Sequence, residues 1–179
     1  MYLFIGYRFT YTQNKVVPKR QKAQCGGGGI MIWGMIMPNG LVTIKKLEGK
    51  QNTEKYLDML RCFAVPLMNL NMQSNYNFVQ DNCSIHVSKV AKTFLGEQCF
   101  QTLEWPSRSP DINIMENIWK IISDLVYEGN QPQNLKKLEE NIIKAIWTIN
   151  NEKLQTTKKL YDSFRQRLTK ILVAKGNIC

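Results

Sequence analysis

Two acidic residues stand in settings that suit metal chemistry. Asp81 follows Phe78-Val79-Gln80, a run that reads as a buried strand delivering an acid at its end. Glu116 follows Trp105-Pro106-Ser107-Arg108-Ser109-Pro110-Asp111, a loop that leads straight into a helix. The 34 residues 82–115 separate the two. A strand-end carboxylate is rigidly placed, and one on a helix packed against that sheet approaches from the far side, so the pair can share divalent cations. Mg²⁺ prefers hard oxygen ligands. Two such ions roughly 3.5–4 Å apart activate the attacking oxygen and stabilise the leaving one in phosphodiester chemistry. That arrangement needs a third carboxylate, and its place in this sequence is empty.

Acid pairs occur at many spacings in any chain of 179 residues, so the local setting has to carry the argument. Glu116 falls between Met115 and Trp119, beside an apolar helical stripe where an unpaired carboxylate is costly. Lys120, at i+4, offers the plainer alternative of a surface ion pair. Asp111 reads as the N-cap of the Glu116 helix, and Pro106 and Pro110 hold the preceding loop extended. Asn82 and Asn117 flank the acids and are candidates to support them from behind by hydrogen bonding. His86, five residues after Asp81, is a further candidate; contact with a polyanion, orientation of a water or a hydrogen bond at a helix entry are its alternatives. Lys89, Lys92 and Arg108 lie near the presumed site and suit phosphate contacts, which position a nucleic acid without reading its sequence.

The positioning elements follow from apolar periodicity. Leu3–Tyr11 has β-type residues. Ile30–Met37 is short, β-branched and aromatic, a buried strand. Pro38-Asn39-Gly40 is a turn, and Leu41–Leu47 returns as the second arm of a hairpin. Asn52 or Thr53 caps a helix with Tyr56, Leu57, Leu60 and Phe63 on its apolar face. Tyr76–Gln80 is the strand that delivers Asp81. Ser88–Leu95 has helical spacing and Phe100–Leu103 suits a short strand. Ile112–Val126 carries Met115, Ile118, Trp119, Ile122 and Val126 on one stripe. Gly129-Asn130-Gln131-Pro132 breaks it, Leu135–Ile149 is amphipathic, and Lys153–Ala174 supplies one or two more helices. The order from Ile30 onwards is hairpin, helix, strand, helix, strand, then helices, which fits a mixed sheet flanked by helices. Gly26–Gly29 lack the GK[ST] ending and following helix of a phosphate loop, and read as the entry to a strand.

A net charge of +10 favours a polyanionic partner, nucleic acid ahead of acidic membrane. The five cysteines include no CxxC pair, which suits a reducing compartment and suggests that most are buried thiols. With one histidine, a structural zinc site is not expected. No run approaches the length of a membrane span, and no secretory leader is visible. The expected location is the nucleus, or the cytoplasm before import. The basic run Lys19-Arg20-Gln21-Lys22 is too short to serve as a nuclear signal by itself. Lys158, Lys159, Arg165, Arg167 and Lys170 read as a solvated helical face.

Four blocks carry a resemblance to a known family: Gly26–Gly34 (GGGGIMIWG), Gln80–Lys89 (QDNCSIHVSK), Trp105–Trp119 (WPSRSPDINIMENIW) and Leu168–Gly176 (LTKILVAKG). In order and spacing they resemble the catalytic domain of mariner-type (Tc/mariner superfamily) DNA transposases. The resemblance implies a ribonuclease-H-like α/β fold, a mixed sheet flanked by helices with a helical C-terminal part. It also implies three carboxylates holding two Mg²⁺ or Mn²⁺ ions for DNA strand cleavage and strand transfer. By motif position Asp81 matches the second acid and Glu116 the third, so both are expected to be catalytic metal ligands. The implied partners are transposon ends and target DNA, and family members act as dimers or larger synaptic assemblies, which implies a homo-oligomer.

The departures from the pattern matter equally. The family's first Asp lies on the first strand, and counting back from Gly26 places it before Met1. Residues 1–30 contain no Asp or Glu, and Asp58, inside the helix after the hairpin, reads as a solvated surface residue. The paired helix-turn-helix modules that bind transposon ends in the family are missing. Ser84, Ile114 and Phe164 each stand where the family usually has Pro, and read as relaxed turn positions that fit a decaying element. The expectation is therefore one catalytic domain over residues 1–179, incomplete at its N-terminus, from a truncated copy with weakened metal binding and little activity. The rivals are a domesticated, non-catalytic module that binds nucleic acid or protein, and an intact enzyme whose upstream portion carries the missing acid.

Overall fold

A computed structural model describes residues 2–10, 28–71, 77–103, 112–129 and 131–173. Within them β1 (Tyr2–Thr10), β2 (Gly29–Ile36), β3 (Val42–Leu47), β4 (Asn77–Gln80) and β5 (Gln101–Leu103) form one sheet in the order β3-β2-β1-β4-β5. Pairing is antiparallel from β3 through β2 to β1 and parallel from β1 through β4 to β5. The mixed sheet expected from the sequence is present, with one addition. The segment Tyr2–Thr10, which the expected element order leaves out, is the central strand. Its parallel register sets Leu3 against Val79 and Phe4 against Gln80, so the strand beside β4 is YLFIGYRFT and carries no carboxylate.

The β2–β3 hairpin closes at Pro38-Asn39-Gly40. Gly40 has φ +88°, a conformation that glycine adopts without strain. Its N–H donates to the Met37 carbonyl at 2.9 Å. A side chain there would also run into the Lys158 backbone, 2.8 Å away, so this turn is packed under a helix. β2 is buried on both faces, which explains its unbroken apolar run.

Among the described residues six α-helices flank the sheet: α1 (Thr53–Met59), α2 (Val65–Asn71), α3 (Lys89–Gly96), α4 (Ile114–Val126), α5 (Leu135–Glu152) and α6 (Leu154–Val173). Asn52 caps α1, its side chain accepting from the Lys55 N–H. Between α1 and α2 the chain widens into a π-helical turn, Leu60–Ala64, with the Val65 N–H bonded to the Leu60 carbonyl. Pro66 explains the widening: it has no N–H for the preceding turn, and a π-turn accommodates that loss without a break.

Alternation along the strands divides the core. Ile30, Ile32, Ile36 and Val79 meet Met115, Ile118, Trp119 and Ile122 of α4 and the inner faces of α5 and α6. Trp33, Met35 and Phe78 face the other way, against Tyr56, Leu57, Leu60 and Ala91. Gly34 lets α4 approach the sheet closely, because an added Cβ would lie 2.4 Å from Cη2 of Trp119. Three hydrogen bonds from two side chains fix the same layer from its ends. The Tyr127 hydroxyl donates to the Thr10 carbonyl at 2.8 Å, and the Asn150 amide donates to the Val42 carbonyl at 2.8 Å while accepting from its N–H at 2.9 Å. Asn150 thereby supplies a strand-like partner to the outer edge of β3.

Three expectations need correction. Cys62, Cys83 and Cys99 are exposed thiols, not buried ones, because each sits on a turn or on the outward side of a helical segment. Phe164 lies within α6 and is buried in the core, so it is no relaxed turn position. The cap of α4 is Asn113, whose side chain accepts from the Met115 N–H at 3.1 Å, two residues later than the expected Asp111. Asp111, Arg108, Pro106 and Pro110, residues 11–27 with the basic run at 19–22, and the end of the tail block at 174–176 lie outside the described residues. Asp58 is exposed on α1 beside Arg61, at 3.4 Å.

Candidate functional site

Asp81 is the first residue after β4, and its side chain is about a third exposed (36%). Its Oδ1 accepts from the Cys83 N–H at 3.1 Å and lies 2.6 Å from Nδ1 of His86. His86 is buried, carried there by a turn in which its N–H donates to the Cys83 carbonyl at 2.8 Å. Of the alternatives open from the sequence, the structure shows a side chain turned to the acid itself.

Two residues that sequence reasoning missed hold this pair. The Tyr56 hydroxyl of α1 donates to Oε1 of Gln80, and the Gln80 amide donates to the His86 carbonyl at 3.1 Å. The Tyr56 and His86 rings pack against each other at a tilt of 37°, with centroids 4.4 Å apart. A polar Gln80 at a core-facing strand position, opposite a tyrosine on an apolar helix face, was the available signal, since buried polar groups require partners. Burial alone would push the Asp81 carboxyl up, but the hydrogen bond and charge of His86, with the Cys83 amide, hold it below its ordinary value. Burial pushes the Tyr56 phenol far up, and the charges of Asp81 and Cys83 push in the same direction.

Glu116 sits in the first turn of α4, where its charge suits the helix N-terminus. It is exposed, against the expectation of partial burial. On a helix turning roughly 100° per residue, the stripe centred on Met115 faces the sheet and Glu116 points to its flank. Lys120 is exposed as well, and no ion pair among the described residues involves either. Asn82 and Asn117 are exposed, as are Lys89 and Lys92 on α3.

A cleft of about 750 Å³ opens between the sheet and α1, with Asp81, His86, Arg8 and Lys50 among its lining residues. Glu116 is not part of its wall. Among the described residues no group of three or more His, Cys, Asp or Glu side chains is placed to hold a metal ion. Among the described residues the donor set is thus two separate carboxylates, Asp81 and Glu116. Hard oxygen ligands suit Mg²⁺ or Mn²⁺ in kind, but their number falls short of a two-ion site.

The model of the DDE superfamily endonucleases matches residues 9–139. The chain belongs to that family. Among curated relatives, the transposable element Tc3 transposase of Caenorhabditis elegans is 31% identical over 153 residues, covering 85% of this chain and 46% of that protein. The Tc1 transposase of the same organism is 26% identical over 163 residues, 87% of this chain and 57% of that protein. The chain therefore spans about half the length of the curated relatives it matches. The crystal structure of the catalytic domain of Mos1 mariner transposase superposes with a TM-score of 0.74 at 14% identity, covering 99% of this chain and 83% of that one. The Mos1 paired-end complex with the left transposon end gives 0.78 at 13%, covering 98% and 55%. Structures of the Mos1 catalytic domain with Mn and with Mg match at 0.74. The fold is the ribonuclease-H-like one expected, and the chain is a Tc/mariner-type transposase catalytic domain. Among the described residues no helix is long and apolar enough to cross a membrane.

Proposed function

We propose that residues 1–179 form one module built for metal-dependent DNA strand cleavage and strand transfer in the nucleus, with Asp81 and Glu116 as its cation-holding positions, and that the chain alone has little or no such activity. The observation that carries this reading is the placement of Asp81 at the C-terminal end of β4, beside a β1 that bears no acid. In a two-ion site a bridging carboxylate matters most when charge develops at the reacting phosphate, so its loss falls on the chemical step more than on binding. Mg²⁺ or Mn²⁺ would supply activation of the attacking oxygen and stabilisation of the leaving one. The chain's own part is to hold Asp81 through the His86–Gln80–Tyr56 hydrogen bonds. Relatives solved with transposon-end DNA and with Mn or Mg support DNA and divalent cations as the partners. Assembly into a homo-oligomer on DNA belongs to the same reading, with Lys89, Lys92 and Arg108 contacting phosphates and Asn82 and Asn117 supporting the acids.

The test is incubation of the purified chain with duplex DNA carrying Tc-type inverted-repeat ends, with Mn²⁺ or with EDTA. No nicking above the EDTA control is expected. Mn²⁺-dependent cleavage that disappears in Asp81→Ala or Glu116→Ala would overturn the low-activity reading.

A further inference from the structure

The cleft beside Asp81 lies on the α1 side of the sheet, and α5 packs on the opposite side. Leu138, Ile142, Ala145 and Ile149 form the inward stripe of α5 and are buried in the core. At roughly 100° per residue, Lys136, Glu140, Ile143 and Trp147 share the outward stripe, and Lys144 flanks it. Ile143 is 62% exposed and Trp147 57%. Spaced i, i+4, the two side chains adjoin on the helix surface. A single exposed apolar side chain is ordinary, but tryptophan is on average well buried, and here it is one of a pair. Asn151 donates to the Trp147 carbonyl at 2.8 Å, and among the described residues nothing accepts from the indole N–H.

The charge around this pair is unbalanced. Glu139 is held by Lys46 at 2.7 Å and Glu140 by Lys137 at 3.3 Å. No ion pair among the described residues involves Lys136 or Lys144. An apolar pair with a free indole N–H is thus rimmed by two uncompensated ammonium groups, both exposed.

That chemistry selects among occupants. A second copy would bring the same two lysines and a net charge of +10 to the contact, so charge opposes self-association through this face. Membrane binding needs a whole apolar helix side to insert, and that side of α5 is already in the core. Nucleic acid is held by a continuous track of cations, whereas this stripe carries two with Glu140 between them. An acidic amphipathic helix meets every feature. Its apolar side covers Ile143 and Trp147, and its flanking carboxylates reach Lys136, Lys144 and the indole N–H.

We propose that the outward face of α5 docks an acidic amphipathic helix of a protein partner, with Trp147 as the central anchor. Neither the Asp81 cleft nor a metal ion takes part.

The test is fluorescence anisotropy in EDTA with a labelled eighteen-residue helical peptide that carries Leu and Phe on one face and Glu on its flanks. The parent should bind it, and the same peptide with Lys in place of Glu should not bind. Truncating a tryptophan anchor weakens binding by a factor of about 30 or more, so Trp147→Ala should lose at least that. Lys136→Ala and Lys144→Ala should each weaken it by up to about 5-fold, the scale of an exposed ion pair. Leu70→Ala, at an exposed apolar position of α2 on the other side of the sheet, should bind as the parent does. Thermal unfolding of each variant establishes that it is folded. The proposal is overturned if the acidic peptide does not bind, if the Lys-flanked peptide binds equally well, or if Trp147→Ala keeps the parental affinity. It is also overturned if Trp147→Ala weakens duplex DNA binding as much as peptide binding, or abolishes self-association in sedimentation equilibrium. Failure here leaves the cleavage reading untouched, because no divalent cation is present in any arm.

Discussion

Gly34→Ala is the sharpest probe of how α4, and with it Glu116, is set on the sheet. The added Cβ would lie 2.4 Å from Cη2 and 2.9 Å from Cζ2 of Trp119, and 3.2 Å from Cε of Met115. Carbon atoms pack at about 3.5–4.0 Å, so the indole would have to withdraw by about 1 Å. It cannot swing aside like the end of a flexible side chain, since Trp119 is fully buried among Ile32, Ile118 and Ile122. Overpacking of this kind costs about 1–3 kcal/mol. At this chain length that corresponds to a fall in Tm of roughly 2–12 °C. Urea unfolding followed by tryptophan fluorescence measures it directly, with Gly96→Ala as the control because a Cβ there meets nothing within 4 Å. Trp119→Phe in the same chain should relieve part of the penalty, so the two substitutions should couple in a double-mutant cycle. If Gly34→Ala stays within about 0.5 kcal/mol of the parent, or the pair is additive, the proposed close approach of α4 to β2 is wrong.

Two further outcomes follow from the hydrogen bonds around Asp81. Tyr56→Phe leaves Gln80 Oε1 buried without its donor and should cost about 1–3 kcal/mol in urea unfolding; a change indistinguishable from zero would show that the Tyr56–Gln80 bond is not formed in solution. Asp81 is held below its ordinary value of 3.8, so its contribution to stability is fully present above that pH and is lost as pH falls through the lower folded-state value. Unfolding between pH 5 and pH 2.5 should therefore show a shallower decline for Asp81→Asn than for the parent, and parallel curves would contradict the pairing with His86.

The sequence makes local structure legible and long-range pairing much less so. The α4 stripe, the Pro38-Asn39-Gly40 turn, the Asn52 cap and the strand carrying Asp81 each declare themselves through periodicity or turn chemistry, and each is where it should be. β1 does not, because nothing in YLFIGYRFT specifies that it sits between β2 and β4; that follows only from pairing with residues far along the chain. Glu116 was misjudged for a different reason. Adjacency to Met115 in sequence is not adjacency on a helix face, and one residue of rotation moved it from the stripe to the flank. Tyr56 and Gln80 looked like ordinary members of an apolar helix face and an apolar strand, and their partnership appears only when the helix is laid on the sheet.

The central position of β1 also governs how the molecule can assemble. The β2–β3 hairpin joins neighbours in sequence and can form early, but β4 and β5 reach the sheet only through β1. Leu3 pairs with Val79, a separation of 76 residues by 79 − 3. Closing so long a loop is entropically expensive before any contact rewards it, and topologies of this kind fold slowly. A chain emerging from the ribosome would expose one apolar strand edge until the segment around Val79 had been made. Exposed edges of that sort invite pairing with other molecules. The same strand that completes the sheet is thus the point at which folding competes with aggregation.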